Sequence, residues 1–383
     1  YGFRDALWTD TPTEAMLDAA SDGAPVVLIS GDLHCAWANS AARELYGLTD
    51  EPAGLLREEP AFQLNMRLSA LSDEQLDRGA AEAARAAAER GVVGIVELEM
   101  ATNIDVWRRR IDAGLDSLRV RCGIYPAHLD DALARGFRTG EIIEGTRGLA
   151  TVGPVKVITD GSLNTRTAYC HAEYPGTGGH GMSTVTFDEL VALMTRLLPT
   201  GLVPTVHAIG DAANTLVLDA YAATGSTGSI EHAQLVAASD FARFAELGVT
   251  ASVQPEHAMD DRDVADVIWQ GRTDRAFAFE SLLSVGARIV LGSDAPVAPL
   301  DPWISMAAAV SRSRDGRDPW HPEQRVSALA AWRASTGRTG LAVGDPADVV
   351  VTDLDPLVAT DEQLRSFPVA ATIVAGRRIV DAL

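Results

Sequence analysis

Four stretches of this chain carry, at or near their ends, side chains that bind metals or move protons. Val203-Pro-Thr-Val-His207 and Ser229-Ile-Glu-His232 close short runs on histidine. Arg288-Ile-Val-Leu-Gly-Ser-Asp294 closes on aspartate and runs into Ala295-Pro296, and Val155-Lys156-Val-Ile-Thr-Asp160-Gly161 carries a lysine inside an apolar run. Imidazole nitrogen and carboxylate oxygen are ordinary zinc ligands, and an open coordination position lets bound water ionise near neutral pH. An aspartate beside that water can take its proton and pass it to a leaving group. A free ammonium is a poor ligand, so Lys156 needs its own account. Carboxylation by carbon dioxide would turn it into an anionic oxygen ligand able to bridge two ions. Of the 32 basic residues Lys156 is the only lysine, and arginine cannot undergo that reaction. The plain alternatives are an ion pair between Lys156 and Asp160 and histidines that are merely hydrogen-bonded. The ordered set at successive run ends favours a metal site.

Such residues converge only if the runs are parallel strands. Apolar segments at 26–30, 92–97, 118–124, 155–159, 203–207, 229–231, 250–254 and 288–291 alternate with amphipathic helices, the pattern of βα units with strands buried on both faces. Helix ends are legible in 72–90, which stops at Gly91, in the Thr186/Glu189 capping box, and in 239–248, capped by Ser239 and ended by Gly248. In a (β/α) barrel, strand C-termini form the active face. The expected architecture is therefore α/β, a TIM-like barrel over 1–335 with an insertion at about 1–70. Strand-like stretches at 344–353 and 371–381 form the C-terminal part of a small β-sandwich over 336–383.

Bulk properties limit the alternatives. A hydrophobic content of 47% over 383 residues suffices for a large core. The net charge of −21 excludes a nucleic-acid partner. No run of about 18 apolar residues suggests a membrane span, and no secretory leader is visible. Three scattered cysteines, Cys35, Cys122 and Cys170, read as reduced cytoplasmic thiols.

The sequence resembles the amidohydrolase superfamily, in its amidohydrolase-3 branch of YtcJ-like proteins and N-substituted formamide deformylases. The resemblance rests on Leu33-His34-Cys-Ala-Trp-Ala-Asn39-Ser40, Val155-Lys-Val-Ile-Thr-Asp-Gly-Ser-Leu-Asn-Thr-Arg166, His207-Ala-Ile-Gly-Asp211, Ile230-Glu-His232-Ala, Gln254-Pro255, Gly292-Ser-Asp294-Ala-Pro and Gly344-Asp-Pro-Ala-Asp348. It implies a TIM-like (β/α)8 barrel with a composite β-sandwich flank and hydrolysis of amide-like C–N bonds. It also implies one or two divalent ions, zinc being expected. Lys156 would be a carboxylated bridging ligand, His207 and His232 ligands, and Asp294 ligand and proton shuttle. One departure stands out: the H-x-H that opens the family's barrel is absent, as is one barrel strand. Together with the non-Met start, this leads to the expectation that an N-terminal segment precedes the sequence.

Further candidates for substrate contact are His34, Asp160, Arg166, Gln254 and Arg272, with His257 also near the pocket. His171 and His180 read as ordinary loop residues. The expected partner is a small-molecule substrate, and a homodimer stays open. The competing reading is a non-catalytic small-molecule-binding protein on the same barrel, with a degenerate metal site.

Overall fold

The computed structural model describes residues 2–48, 54–176, 178–338 and 340–382. Its centre is a curled seven-stranded sheet of β4 (Gly94–Glu97), β5 (Arg119–Ile124), β6 (Ala150–Ile158), β7 (Pro204–Ala208), β8 (Ser229–His232), β9 (Thr250–Val253) and β10 (Ile289–Leu291). Neighbours follow chain order from β4 to β10 and every pair is parallel. All five residues of β7 are buried, as in a strand covered on both faces. Seven of the eight sequence runs therefore line the barrel wall. The eighth, at 26–30, lies apart: β1 (Val27–Ile29) pairs antiparallel with β2 (Cys35–Ala38), and β2 with β3 (Leu55–Arg57). The sheet is a half-closed TIM-like barrel, and among the described residues β4 and β10 each pair on one side only.

Helices begin where the local chemistry demands. Ser72 and Gln75 form a reciprocal capping box ahead of Asp73–Glu89, and Thr186 and Glu189 do the same ahead of Phe187–Leu197. The helix expected over 239–248 is shorter, Phe241–Glu246, and Ser239 does not cap it. Asp240 holds the cap position without bonding the helix amides. Its carboxylate is taken instead by the Thr215 hydroxyl and by Arg243 at 3.0 Å.

The C-terminal stretches form an antiparallel sheet of β11 (Val349–Thr352), β12 (Val369–Val374) and β13 (Arg377–Asp381). Ala375 and Gly376, both at positive φ (51° and 76°), make the tight β12–β13 turn. This sheet is bolted to the barrel. The buried Thr372 hydroxyl donates to Ala88 O at 2.7 Å, and Arg119 pairs with Asp348 at 2.6 Å. Gly91 is needed at the junction: it has φ 78°, and a Cβ there would sit 3.0 Å from Val350 Cγ1. Trp303 stacks on Phe367 at 4.1 Å between centroids and donates its indole N–H to Arg90 O at 2.9 Å. Arg90 in turn reaches Asp301 at 2.6 Å and Phe367 O at 2.9 Å. No helix among the described residues is long and apolar enough to cross a membrane.

Trp303 is 4% exposed and joins the barrel helices to the C-terminal sheet, so Trp303→Ala removes packing and a hydrogen bond together. The expected loss is about 3–5 kcal/mol, measured as a lowered urea midpoint. A midpoint within error of wild type would show that the C-terminal sheet does not depend on this contact.

Candidate metal centre and active site

Sheet register brings the chemistry-bearing residues to one end of the barrel. Lys156 pairs with Thr205 and Ile158 with His207 across β6–β7, and His207 pairs with Glu231 across β7–β8. Side chains directly opposite one another share a face, so Lys156, Thr205, His207 and Glu231 line one surface of the sheet. Strict alternation would turn His232 to the other face. Its backbone is left-handed instead (φ 76°), and its ring lies 4.5 Å from that of His207. Asp294, three residues past β10, is left-handed too (φ 55°). Such geometry in non-glycine residues costs roughly 1–3 kcal/mol and concentrates at functional sites.

Donor atoms of His232, His257 and Asp294 all lie within 4.8 Å of one another. The two imidazoles are buried, while the Asp294 side chain is 44% exposed and opens the group to solvent. His232 Nδ1 and His257 Nε2 are buried without a hydrogen-bond partner, a costly state unless something else engages them. Burial, reinforced by the positive charges of His207 and Lys156, holds the His232 pKa well below the usual histidine value, so its ring is neutral at pH 7. His257 follows β9 at the start of the helix Pro255–Ile268. Its only trace in the sequence was its spacing from the end of that strand.

His207 is held differently. Its Nε2 lies 3.2 Å from Gly161 O and 3.3 Å from Asp160 Oδ1. Asp160 itself is 1% exposed and accepts three backbone N–H bonds, from Ile209 (3.0 Å), Gly210 (2.8 Å) and Tyr169 (2.9 Å). Both carboxylate oxygens are thereby occupied, so Asp160 fixes the loop after β6 and the His207 ring and does not extend toward a ligand. Nor does it pair with Lys156, which is 6% exposed and has no hydrogen bond or ion pair among the described residues. Burial lowers the Lys156 pKa against the opposing pull of Glu231 and Asp294.

A small cavity of about 30 Å³, room for one water, is lined by Asp32, His34, His232, His257 and Asp294 among others. His34, read from the sequence as a candidate for substrate contact, lines this cavity. Glu58, which no sequence signal marked, holds it there: His34 Nδ1 lies 2.7 Å from Glu58 Oε2, and Glu58 Oε1 accepts from the Thr165 and Thr167 hydroxyls. Glu58 adopts φ 55°, ψ −124° at the end of β3. Burial acts to lower the His34 pKa, but Glu58, with Asp32 and Asp294 behind it, more than offsets this and raises it. The Glu58 pKa moves down for the same reason, with burial opposing.

The remaining candidates spread out. Arg166 (φ 59°) reaches a larger neighbouring cleft. Gln254 is 6% exposed at the helix start after β9, its amide 3.4 Å from Ser252 O. Arg272 is half-buried with Nη1 unpartnered, and its charge acts on Cys170. Neither Gln254 nor Arg272 lines either cavity.

An open parallel barrel with histidines and an aspartate at its strand ends holds them where such barrels carry their active sites. The chain matches the model of the amidohydrolase family over residues 1–380 and belongs to that family. It is 29% identical to Protein LONG AFTER FAR-RED 3 of Arabidopsis thaliana over 99% of this chain and 73% of that protein. It is 26% identical to the N-substituted formamide deformylase of Arthrobacter pascens over 95% of this chain and 75% of that enzyme. Among solved structures, an uncharacterized metal-dependent hydrolase of Pyrococcus horikoshii superposes with a TM-score of 0.74 at 25% identity, covering 94% and 77% of the two chains. Family and neighbours together support a metal-dependent hydrolase.

The raised His34 pKa means that its pairing with Glu58 stabilises the fold below the ordinary histidine pKa. That contribution is lost as pH rises through the folded value. Glu58→Gln should shift the His34 titration, followed by ring-proton NMR, to lower pH. A titration that the substitution does not move would contradict the pairing.

Proposed function

We propose that the protein hydrolyses a C–N bond of an amide-like small molecule at a divalent metal centre held by Lys156, His207, His232 and Asp294, with His257 beside them. The observation that carries this reading is the pair of buried, unpartnered imidazole nitrogens in a group whose donors lie within 4.8 Å. No protein hydrogen bond satisfies them, whereas a cation would. His207 fits the same role, since a ligating histidine commonly gives its second nitrogen to a carboxylate or carbonyl. Here Nε2 is so engaged by Asp160 and Gly161, leaving Nδ1 for the ion. Mixed nitrogen and oxygen donors suit zinc.

Lys156 enters as a carbamate. Its lowered pKa raises the fraction of neutral amine, the form that attacks carbon dioxide. A bond forms between Nζ and the CO2 carbon, one proton leaves to solvent, and an anionic oxygen pair results. A bound divalent ion supplies Lewis acidity and makes water more acidic. Asp294 then accepts the water proton and returns it to the departing nitrogen. Its solvent-open side chain allows the proton to re-equilibrate between turnovers. His34, aligned by Glu58, donates to the substrate carbonyl.

Metal content per chain, measured by mass spectrometry, tests the centre. One to two ions per wild-type chain, falling sharply in Lys156→Arg, is the expected result. An unchanged content would make the lysine structural, and no metal under any loading would leave a binding protein. Asp294→Asn should keep most of its metal but lose about 10²–10⁴-fold in amine release from a responsive amide. Full activity in that variant would remove Asp294 from the proton path.

A further inference from the structure

A second cavity of about 570 Å³ lies beside the metal centre, and Asn164 lines both. One wall is apolar: Trp8 is 47% exposed and Met182 37%. Trp8 is nonetheless held rigidly, with Phe3 at 5.7 Å and Trp37 at 6.2 Å between ring centroids. A large aromatic face fixed by two neighbours and left open to a cleft is a platform for a flat apolar group. Of the charges lining the cleft, Arg57 and Asp5 neutralise each other at 2.8 Å. Among the described residues Arg166 has no carboxylate partner; its guanidinium makes one bond, 3.4 Å to Ala6 O, and its backbone is left-handed. Asp10 is exposed on the rim among Thr11 and Pro12, whereas Arg166 is two residues from Asn164 at the junction with the centre.

We propose that this cleft holds the arm of the substrate that remains outside the metal centre, a flat apolar group bearing a carboxylate. Trp8 is the platform and Arg166 the anion contact. The substrate class is then an amide whose acyl or amine half carries an aryl or similar group and a carboxylate. This deepens the hydrolase reading and rests on it for the bond that breaks. A guanidinium with free N–H groups beside an apolar wall favours a carboxylate, which it can grip with two parallel bonds.

Calorimetric titration of the metal-loaded full-length protein tests the assignment. The probes are matched pairs: N-formylphenylalanine against N-formylphenethylamine, and 3-phenylpropionate against 3-phenylpropionamide, with phenethylamine as the cationic counterpart. Wild type should bind the carboxylates about tenfold tighter than their neutral partners. Arg166→Gln should erase that preference and Arg166→Lys restore part of it, with metal content unchanged in both. Trp8→Ala should weaken both members of each pair alike. Absence of a carboxylate preference across the whole panel, a preference that survives Arg166→Gln, or tighter binding of the amine at Asp10 would each overturn the proposal. The hydrolase reading fails separately. Carboxylate selectivity without any metal-dependent C–N cleavage would sink the reaction and leave the cleft, and cleavage without selectivity would do the reverse.

Discussion

Parallel register between β6, β7 and β8 is the constraint on which the rest depends. Because Ile158 lies opposite His207, and Ala208 opposite His232, the lysine and two histidines occupy adjacent rows of one sheet rather than distant points of the chain. A one-residue slip would send Lys156 and His207 to the opposite face. The slip is resisted by burial, since every residue of β7 is packed on both sides. It is resisted also by polar pins: the Thr205 hydroxyl meets Ser229 and Glu231 on the neighbouring strand, and the Thr159 hydroxyl donates to His207 O. Core packing and site geometry are thus one property of the sheet.

The same burial sets the electrostatics. Lys156 and His232 are removed from water without compensating hydrogen bonds, and both respond by favouring their neutral forms. His34, equally enclosed, goes the other way because a carboxylate sits 2.7 Å from it. Burial thus favours loss of a proton at Lys156 and His232, on the β6–β8 side, whereas the carboxylate beside His34 favours its keeping one, on the side of β2 and β3. The two walls come from different sheets.

Sequence reading recovered what repeats locally and missed what is made by distant contacts. Seven strand runs, the helix stop at Gly91 and the capping box at Thr186 were legible because periodicity and cap chemistry are short-range. The lone lysine and the strand-end residues His207, His232 and Asp294 were legible because their residue types are rare at such places. Asp160 was read as a substrate contact on its position after β6, yet three backbone amides claim its oxygens. No local pattern announces that. Glu58 was invisible for a related reason: it matters only because the β1–β3 sheet folds back to set it against His34, Thr165 and Thr167. Arg272, read as a pocket residue from its place after β9, lines neither cavity.

Four of the thirteen non-glycine residues with positive φ among the described residues line the two cavities or hold a residue that does. His232, Asp294, Glu58 and Arg166 all have φ between 55° and 76°; aspartate and histidine enter this region more readily than most residues, glutamate and arginine do not. Each lies at the end of a strand or in the loop that follows one. A strand end is where a rigid, well-buried element can impose an unfavourable torsion on the next residue. The torsion breaks strand alternation and turns the side chain toward the mouth of the barrel. At roughly 1–3 kcal/mol apiece, four such residues amount to a sizeable share of a typical folding free energy. They persist because the buried strands behind them leave no alternative path for the chain.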